Sequence, residues 1–331
     1  MNKLIFNPIL YLKIRNKLKQ YKPDWIIVNT TFVSPITQLK ALKGYKNIQI
    51  IHDYSIVCPK STCIKENYAI CNGYKYNKCI KECKYHNSKL QMFLKLYITK
   101  RIEKIRKKIF CYNISPSEKL AEYVKKYGYK NVSCINNPID LTIFNESNKK
   151  NNKKISYIYV GNINKRKGIF KFIDAFNEFS CNKDVELIII GKFTSMENEK
   201  EFNKLVSNNK KIRYLGYKEN KDAIQIVKKA NFSVVPSIWM ENYPTTILEA
   251  MASKTLVIGS NRGGIPQLLD DNRGIVFDIL DYDKIISTLN YTYIISKNQY
   301  DSIVNNAYDY IKNNNSYDTY LKRINEILKK E

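Results

Sequence analysis

The sequence predicts an α/β protein built from two doubly wound, Rossmann-like domains. Three observations predict this fold: the length of 331 residues, the alternation of short apolar runs with helix-like segments, and a polar stretch between the two halves. A chain of this length typically forms about two domains. Strands that are almost entirely apolar are typical of parallel sheets covered by helices on both faces. We therefore expect one parallel sheet in each half.

Apolar runs of strand length occur throughout the chain. Those in the first half are Trp25–Val28, Ile48–Ile51, Ile109–Tyr112 and Val132–Ile135. Those in the second half are Ser156–Val160, Glu186–Ile190, Arg213–Leu215, Ser233–Val235, Leu256–Ile258 and Ile275–Phe277. Helices are predicted between them, for example at Phe170–Phe179, Asp222–Lys229 and Thr246–Ala252. The polar segment ESNKKNNKK, residues 146–154, is the predicted linker.

These elements predict a division into three parts. An amino-terminal domain is expected at 1–145, with a cysteine-rich insert at 58–86. A carboxy-terminal domain is expected at 146–315, followed by a terminal helix at 316–331.

The chain is strongly basic, with 56 Lys and Arg against 30 Asp and Glu and a formal net charge of +26. This balance fits nucleic acid, anionic lipid or phosphorylated substrates, while AT-rich codon usage is an alternative source of the lysines. No nucleic-acid-binding motif is present, so we expect no nucleic-acid partner. The sequence also lacks a run of 18 apolar residues and a signal-peptide cleavage pattern, which predicts a cytoplasmic protein.

A glycine-bounded basic loop follows the first strand of the second half. It reads GNINKRKG, residues 161–168, and contains Gly161, Asn162, Arg166 and Lys167. Doubly wound sheets bind ligands beyond the carboxyl ends of their strands. Cationic side chains and free backbone N–H groups at such a loop suit a phosphate, although a solvated turn has the same composition.

A second motif, MENYPTTILEAM at 240–251, places two glutamates around a helix start. Pro244 is expected in the first turn, where its missing N–H costs nothing, and the N–H groups of Thr245 and Thr246 are free to bind an anion. Glu241 and Glu249 would repel phosphate but accept hydrogen bonds from hydroxyls. Together the two motifs indicate a nucleotide sugar; the alternative is that Glu249 faces solvent and Glu241 complements the helix dipole.

Five motifs occur in a fixed order: GNINKRKG, LIIIG, IRYLGY, VVPSIWMENYPTTILEAM and TLVIGSNRGGIPQLL. In this order they resemble the retaining glycosyltransferases of family 4, and the resemblance extends from about residue 20 to the carboxyl terminus. It implies a GT-B fold, in which two Rossmann-like domains face a cleft. It also implies transfer of a sugar from a nucleotide sugar to a cell-surface glycan or lipid-linked acceptor, without a required metal or cofactor. The alternatives are a non-catalytic or partner-dependent nucleotide-sugar-binding protein and a nucleic-acid binder.

The resemblance assigns roles to individual residues. Glu241 and His52, at the end of a predicted strand, correspond to catalytic residues that face the donor sugar, and Glu249 to the ligand of the ribose hydroxyls. The donor-binding set also includes Gly161, Asn162, Arg166, Lys167, Gly191, Tyr217, Tyr243, Pro244, Thr245 and Thr246. Asn162 stands where the family usually has arginine, and Gln267 stands where it usually has glutamate.

The amino-terminal domain is short by comparison with this family. Family members normally begin with a strand, a glycine-rich loop and a helix before the strand that resembles Trp25–Val28. We therefore expect this strand to lie at an open, apolar sheet edge, which invites pairing with another chain. A partner or an upstream segment that completes the amino-terminal sheet is the corresponding expectation.

Cysteines concentrate in one insert. Five of the eight lie at Cys58, Cys63, Cys71, Cys79 and Cys83, between the two histidines His52 and His86. Thiolate and imidazole are zinc ligands, and Cys58, Cys71, Cys79 and Cys83 form one candidate zinc site. Free thiols and disulfides are the alternatives, the latter disfavoured in the cytosol.

The segment 88–110, SKLQMFLKLYITKRIEKIRKKIF, combines helical apolar spacing with eight basic residues and one acidic residue. Such a helix can lie on an anionic membrane, which predicts a peripheral protein on the cytoplasmic face. The alternative is a core-packed helix with a solvated charged face.

Overall fold

The computed structural model describes residues 6–29, 35–71, 73, 76–83, 89–144 and 154–329. The chain divides into two compact units, Met1–Asn136 with Lys322–Glu331, and Asn137–Leu321. The predicted linker lies, except for its last residue, outside the described residues. Within the described ranges, no helix combines the length and apolar character that crossing a membrane requires.

The first unit contains a four-stranded parallel sheet. Its strands, in spatial order, are β1 (Trp25–Val28), β2 (Lys46–Ile50), β3 (Tyr112–Ser115) and β4 (Val132–Cys134). Its helices are α1 (Pro8–Tyr21), α2 (Pro35–Ala41), α3 (Tyr76–Cys83), α4 (Lys89–Ile109) and α5 (Glu118–Lys126). β1 forms one edge of the sheet in the described part of the chain, and its Ile27 is 44% exposed.

Local capping explains where two of these helices begin. The side chain of Asn7 accepts a hydrogen bond from the backbone N–H of Leu10, and Pro8 occupies the first helical position of α1. The hydroxyl of Ser117 accepts the backbone N–H of Leu120 at 3.2 Å at the start of α5.

The second unit contains a six-stranded parallel sheet. Its strands are β5 (Ile155–Val160), β6 (Val185–Ile190), β7 (Ile212–Tyr214), β8 (Phe232–Val235), β9 (Leu256–Ser260) and β10 (Ile275–Phe277). Its helices are α6 (Ile169–Phe179), α7 (Met196–Val206), α8 (Asn220–Lys229), α9 (Thr245–Ala252), α10 (Ile265–Leu269), α11 (Tyr282–Ile294) and α12 (Lys297–Asn314). A last helix, α13 (Tyr317–Leu328), passes from this unit into the residues that belong to the first.

The strand order of the second sheet is β10-β9-β8-β5-β6-β7. The chain starts at β5, proceeds to β6 and β7 on one side, and then crosses to β8 on the other side. The carboxyl ends of β5 and β8 therefore lie next to each other where the order reverses, which is where doubly wound sheets bind ligands. This confirms the predicted fold class and places both sequence motifs at the same point of the sheet.

One predicted strand is displaced in the structure. The sequence predicts a strand at Ile109–Tyr112, whereas β3 begins at Tyr112 and Ile109 ends α4. Ile109 follows Ile102 and Ile105 at helical spacing, and all three pack against the cluster that contains Leu39. Ile109, the first residue of this apolar run, is therefore the last residue on the apolar face of α4.

The division between the two units falls before the expected boundary at 145/146. The side-chain amide of Asn315 donates to the carbonyl of Asn137 at 2.7 Å, and Lys228 Nζ donates to the carbonyl of Ile143 at 3.2 Å. Ile139 and Leu141 pack against the core of the second unit. These contacts assign the segment before the linker to the second unit.

Candidate functional site

The loops after β5 and β8 lie side by side at the reversal of strand order. The backbone N–H of Ile238 donates to the carbonyl of Arg166 at 2.9 Å and so ties the second loop to the first. Gly168 makes this contact fit: a Cβ there would lie 1.7 Å from the carbonyl oxygen of Pro236, and its φ of +72° favours glycine. The two loops therefore form one surface.

The carboxylate of Glu241 is the focus of this surface. Its Oε1 accepts hydrogen bonds from Lys167 Nζ at 2.7 Å, Ser237 Oγ at 2.7 Å and Trp239 Nε1 at 2.6 Å. Glu241 is only 8% exposed, so these donors hold a largely buried charge in one orientation. The sequence predicted Lys167 and Glu241 as site residues, and the structure joins them directly.

A glycine pair fixes the backbone beneath Glu241. The N–H of Gly264 donates to the carbonyl of Glu241 at 2.8 Å, and a Cβ on Gly263 would lie 1.9 Å from the same oxygen. Gly263 also has a φ of +61°. The close approach and the left-handed backbone require glycine at position 263, which gives a physical role to the first glycine of the pair that follows β9.

Lys167 is positioned by its own loop. Residues Lys165–Lys167 form a short 3-10 turn capped by Asn164, whose side chain accepts the N–H of Lys167 at 3.1 Å. The ammonium also lies 4.9 Å from the ring centroid of Trp239, a cation–π contact. The lysine is thus held between a carboxylate and an aromatic ring.

A cavity of about 350 Å³ opens beside this lysine. Its lining is mainly polar and basic and consists of Asn162, Asn164, Lys165, Arg166, Lys167, Thr194, Glu197, Asn198 and Trp239. The carbonyl of Asn162 accepts a hydrogen bond from the Tyr159 hydroxyl at 2.7 Å, which fixes the backbone directly after Gly161. Burial raises the pKa of Tyr159, so the phenol stays a neutral donor. Asn162, Arg166 and Lys167 therefore share one cavity wall.

Gly191 and Tyr217 lie beyond β6 and β7. A Cβ on Gly191 would lie 1.8 Å from the carbonyl oxygen of Gly161, so the turn after β6 packs directly on the turn after β5. The N–H of Gly191 donates to the carbonyl of Gly216 at 3.0 Å. Tyr217 is half exposed, and Lys192 Nζ lies 3.8 Å from its ring centroid. The structure therefore connects these predicted residues to the same end of the sheet.

Helix α9 begins at the same end. Pro244 is its N-cap residue, one position before the predicted first turn, and provides no side-chain cap. Thr245 is exposed and Thr246 is half-buried. Glu249, one helical turn further on, accepts a hydrogen bond from Asn220 Nδ2 at 2.8 Å, and burial raises the pKa of its carboxyl. Glu249 therefore does not simply face solvent, which was the alternative interpretation of the sequence.

Tyr243 differs from the other predicted donor-binding residues. It is buried in the second unit's core, and Asn315 Nδ2 donates to its hydroxyl at 3.0 Å. Its side chain therefore packs into the interior, and only its backbone lies along the loop.

The sequence analysis did not identify Ser237, Trp239 and Asn220, although their side chains orient the two glutamates. For Trp239, the available signal in the sequence was its W-x-E spacing to Glu241.

A buried arginine completes the surroundings of the glycine pair. Arg262 directly precedes Gly263, is 5% exposed, and its Nε lacks a hydrogen-bond partner among the described residues. Burial lowers the pKa of its guanidinium, an effect that the charge of Asp278 opposes. Nothing in its own sequence context distinguishes this arginine from a surface residue.

His52 belongs to the first unit. It follows β2, as predicted, and its Nε2 forms a hydrogen bond with the side chain of Asn29. Asn29 itself follows β1, the neighbouring strand. The histidine therefore lies at the carboxyl end of the first sheet.

The predicted cysteine ligands lie elsewhere in the first unit. Cys58, Cys71, Cys79 and Cys83 are all buried, and so is Cys63. Among the described residues, no group of three or more His, Cys, Asp or Glu side chains is arranged to hold a metal ion. His86 lies outside the described residues.

Comparisons with known proteins agree with this geometry. The family described as "Glycosyl transferases group 1" matches residues 142–310. Comparison with curated protein sequences found no match.

Solved structures are similar over nearly the whole chain. A glycosyltransferase from Rickettsia africae has a TM-score of 0.74 at 18% identity, covering 99% of this chain and 83% of that one. Anabaena Alr3699/HepE in complex with UDP has a TM-score of 0.76 at 16% identity, covering 97% and 82%. Sucrose-phosphate synthase from Thermosynechococcus elongatus has a TM-score of 0.72 at 15% identity, covering 97% and 76%. These similarities confirm the predicted GT-B fold.

Proposed function

Because this chain belongs to the glycosyl transferases group 1 family, we propose that it transfers a sugar from a nucleotide sugar to an acceptor hydroxyl. The more specific assignment is a retaining hexosyltransferase of family 4. The contact that carries the proposal is the pair of Lys167 and Glu241, which joins the phosphate-type loop to the hydroxyl-binding carboxylate at the strand reversal.

The diphosphate is assigned to the basic wall of the 350 Å³ cavity. Arg166 and Lys167 line it, and an ammonium bound to Glu241 still has two N–H donors for phosphate oxygens. The first turn of α9 adds backbone N–H groups at Thr245 and Thr246 and the positive end of the helix dipole. These groups would stabilise the negative charge that develops on the leaving diphosphate.

The donor sugar is assigned to Glu241. Its three donors among the described residues all contact Oε1, which leaves Oε2 as the acceptor for a sugar hydroxyl. His52 is assigned to the same sugar on the basis of the family 4 resemblance. Positioning by these residues would place the anomeric carbon for attack by the acceptor hydroxyl.

The nucleoside is assigned to Glu249 and to the turns at Gly191 and Tyr217. A carboxylate held by Asn220 can accept both ribose hydroxyls, and the exposed Tyr217 ring offers a flat apolar surface to a base. The structures of Anabaena Alr3699/HepE contain UDP and UDP-glucose, which makes uridine the first nucleoside to test.

The acceptor is assigned to a cell-surface glycan precursor or lipid-linked sugar at the cytoplasmic face of the membrane. Helix α4 supports this assignment, because Leu90, Phe93, Leu94 and Tyr97 are exposed on it while its carboxyl half is rich in lysine and arginine. Exposed apolar residues beside a basic stretch suit an anionic membrane surface. Flotation with anionic vesicles at low salt, lost when Lys104, Arg106, Lys107 and Lys108 are neutralised, is the test.

The central experiment measures binding and turnover separately. UDP, GDP and ADP are titrated calorimetrically, and release of the nucleotide from UDP-glucose is followed with and without a lipid-linked acceptor. Glu241→Gln should lower turnover about 100-fold through misplacement of the sugar, yet leave UDP affinity nearly unchanged. If the protein binds nucleotide but shows neither sugar transfer nor slow hydrolysis of the donor, it is a non-catalytic binding protein. No nucleotide binding at all would contradict the proposal.

A further inference from the structure

The loop between β8 and α9, residues 236–244, carries Glu241 and is held near its end by a buried side chain. The ring of Tyr243 packs in the core of the second unit. Asn315 Nδ2 donates to the Tyr243 hydroxyl at 3.0 Å. In the chain, Tyr243 stands two residues after Glu241 and two before Thr245. It therefore joins the carboxylate assigned to the donor sugar to the helix start assigned to the diphosphate.

Asn315 is a buried polar residue whose side-chain amide is fully engaged. It follows the last residue of α12, and its exposed fraction is 0%. The amide nitrogen carries two hydrogens, and it has two acceptors, the Tyr243 hydroxyl at 3.0 Å and the carbonyl of Asn137 at 2.7 Å. The carbonyl of Asn315 accepts the N–H of Ile139 at 2.8 Å. Because moving this residue would leave buried polar groups unpaired, its position is fixed.

The segment 137–144, with which the chain enters the second unit, is anchored there. Phe144 is buried in the core of the unit, and Ile139 packs against the same core. The buried Lys228 of α8 donates from its Nζ to the carbonyl of Ile143 at 3.2 Å. The segment is therefore a fixed support for the side chain of Asn315.

The earlier part of the loop is held from a different direction. Ser260, the last residue of β9, donates from its Oγ to the carbonyl of Ser237 at 2.7 Å. The N–H of Gly264 donates to the carbonyl of Glu241 at 2.8 Å. Both contacts come from β9 and the loop that follows it. The last part of the loop, which leads into α9, is supported from the end of α12 through the hydroxyl of Tyr243.

We propose that Tyr243 and Asn315 are positioning residues for sugar transfer, and that their hydrogen bond holds the loop so that Glu241 meets the donor sugar. The inference rests on the function proposed above and adds two residues to it. Both side chains are buried in the core, so they act through the loop and not on the substrate. A shift of about 1 Å in a positioned group can cost about 100-fold in turnover, which makes such a support important.

Tyr243→Phe removes the hydroxyl and keeps the ring in the core. The matched control is Tyr157→Phe, because Tyr157 is also fully buried and its hydroxyl shares a hydrogen bond with Thr292 Oγ1 at 2.9 Å. Tyr157 lies in β5, away from its carboxyl end. Both variants deprive a buried polar group of a partner, so both should lower folding stability. Only Tyr243→Phe should displace the loop.

Fluorescence of Trp239 measures the position of the loop without any substrate. In a Trp25→Phe background Trp239 is the one remaining tryptophan, and its Nε1 donates to Glu241 at 2.6 Å. Displacement of the loop should loosen this contact and admit solvent. Quenching of Trp239 by acrylamide should therefore increase in Tyr243→Phe and stay unchanged in Tyr157→Phe. Equal quenching in these two variants would overturn the proposal, whatever the protein binds or transfers.

Kinetics separate a positioning role from a merely structural one. With UDP-glucose as donor, kcat should fall about 10-fold in Tyr243→Phe and stay unchanged in Tyr157→Phe. The Kd for UDP should stay close to that of wild type, because Lys167 and Glu249 lie outside the loop. An unchanged kcat with lower stability in Tyr243→Phe would refute the positioning role. Wild-type protein that binds no UDP would contradict the proposed function instead, and the fluorescence comparison would still decide whether the hydrogen bond holds the loop.

A double-mutant cycle tests whether the two side chains act as a pair. Asn315→Ala should lower kcat at least as much as Tyr243→Phe, because it also removes the hydrogen bond to Asn137. The double variant should lose no more than Asn315→Ala alone, since residues that act through one contact are not additive. Losses that multiply would show independent effects and refute the pair. If Asn315→Ala does not fold, the comparison of Tyr243→Phe with Tyr157→Phe decides, because both variants retain every ring of the core.

Discussion

The core of the second unit and the segment from Cys58 to Cys83 fill their interiors with different chemistry. Beneath β5, the ring of Tyr157 stacks on Phe232 with centroids 5.0 Å apart, and Phe176 meets it edge-on at 5.8 Å. Among the described residues of the cysteine segment, by contrast, the buried side chains are the five thiols together with Thr62 and Ile64. The first interior is stabilised mainly by burial of large apolar and aromatic side chains, while the described part of the second buries little hydrocarbon apart from its thiols.

This contrast has a functional consequence. The side chains of the candidate site extend from loops at the end of a sheet whose β8 and β9 are buried throughout. Their geometry should therefore be insensitive to metal and to redox conditions. His52, in the first unit, is followed by the segment from Cys58 to Cys83, whose described interior consists mainly of thiols. A change of redox conditions should separate the two regions experimentally.

The largest effect is expected from Phe176→Ala. Phe176 is fully buried, and removing its ring should cost about 3–5 kcal/mol, whereas the neighbouring Ile173→Val should cost only about 0.5–1.5 kcal/mol. Urea denaturation in a Trp25→Phe background, where Trp239 is the one remaining tryptophan, measures the second unit. The loss should be the same with and without reductant; a loss that changes on reduction would break the contrast between the two regions.

The next effect is expected at the glycine pair. Gly263→Ala should cost about 1–2 kcal/mol for its left-handed backbone and about 1–3 kcal/mol more for the clash with Glu241. Gly216→Ala is the matched control, because its φ is +70° and its Cβ would meet nothing within 4 Å. It should show the backbone cost alone. Equal destabilisation of the two variants would mean that the close approach to Glu241 contributes nothing.

Sequence patterns could predict those parts of the fold and site that are local. Phosphate-type loops and helix starts depend on neighbouring residues, so the loop with Lys167 and the helix with Glu249 were identifiable. The direction in which a side chain points, and the residues that it contacts, depend on the whole fold. Tyr243 turns into the core towards Asn315, and the bridge between Ile64 and Ile70 brings the backbones of Cys63 and Cys71 together. No spacing rule contains this information.

Lys167 is expected to contribute less to stability than to binding. Lys167→Ala should weaken UDP binding by about 1.5–3 kcal/mol, roughly 10- to 100-fold, because charge-assisted hydrogen bonds to phosphate are lost. Affinity for uridine should hardly change. Lys171→Ala, an exposed lysine on the same loop–helix unit, is the control. Equal losses for UDP and uridine would show that Lys167 does not contact phosphate.

The smallest and most specific effect is the pH dependence of Glu249. Burial raises the pKa of this carboxyl above its ordinary value, so it gains a proton at a higher pH than an exposed glutamate does. Only the carboxylate can accept hydrogen bonds from both ribose hydroxyls, so uridine affinity should fall as pH decreases from neutrality towards the ordinary glutamate pKa.

The pH dependence of folding stability has the opposite sign. Because the pKa of Glu249 is raised in the folded state, its contribution to stability is present at low pH and is lost as pH rises through that pKa. Glu249→Gln should abolish both trends and bind uridine about 10-fold or more weakly at neutral pH. Uridine is the appropriate probe because it carries no phosphate that titrates, and a parallel decline of affinity in wild type and Glu249→Gln would exclude Glu249 as the ribose ligand.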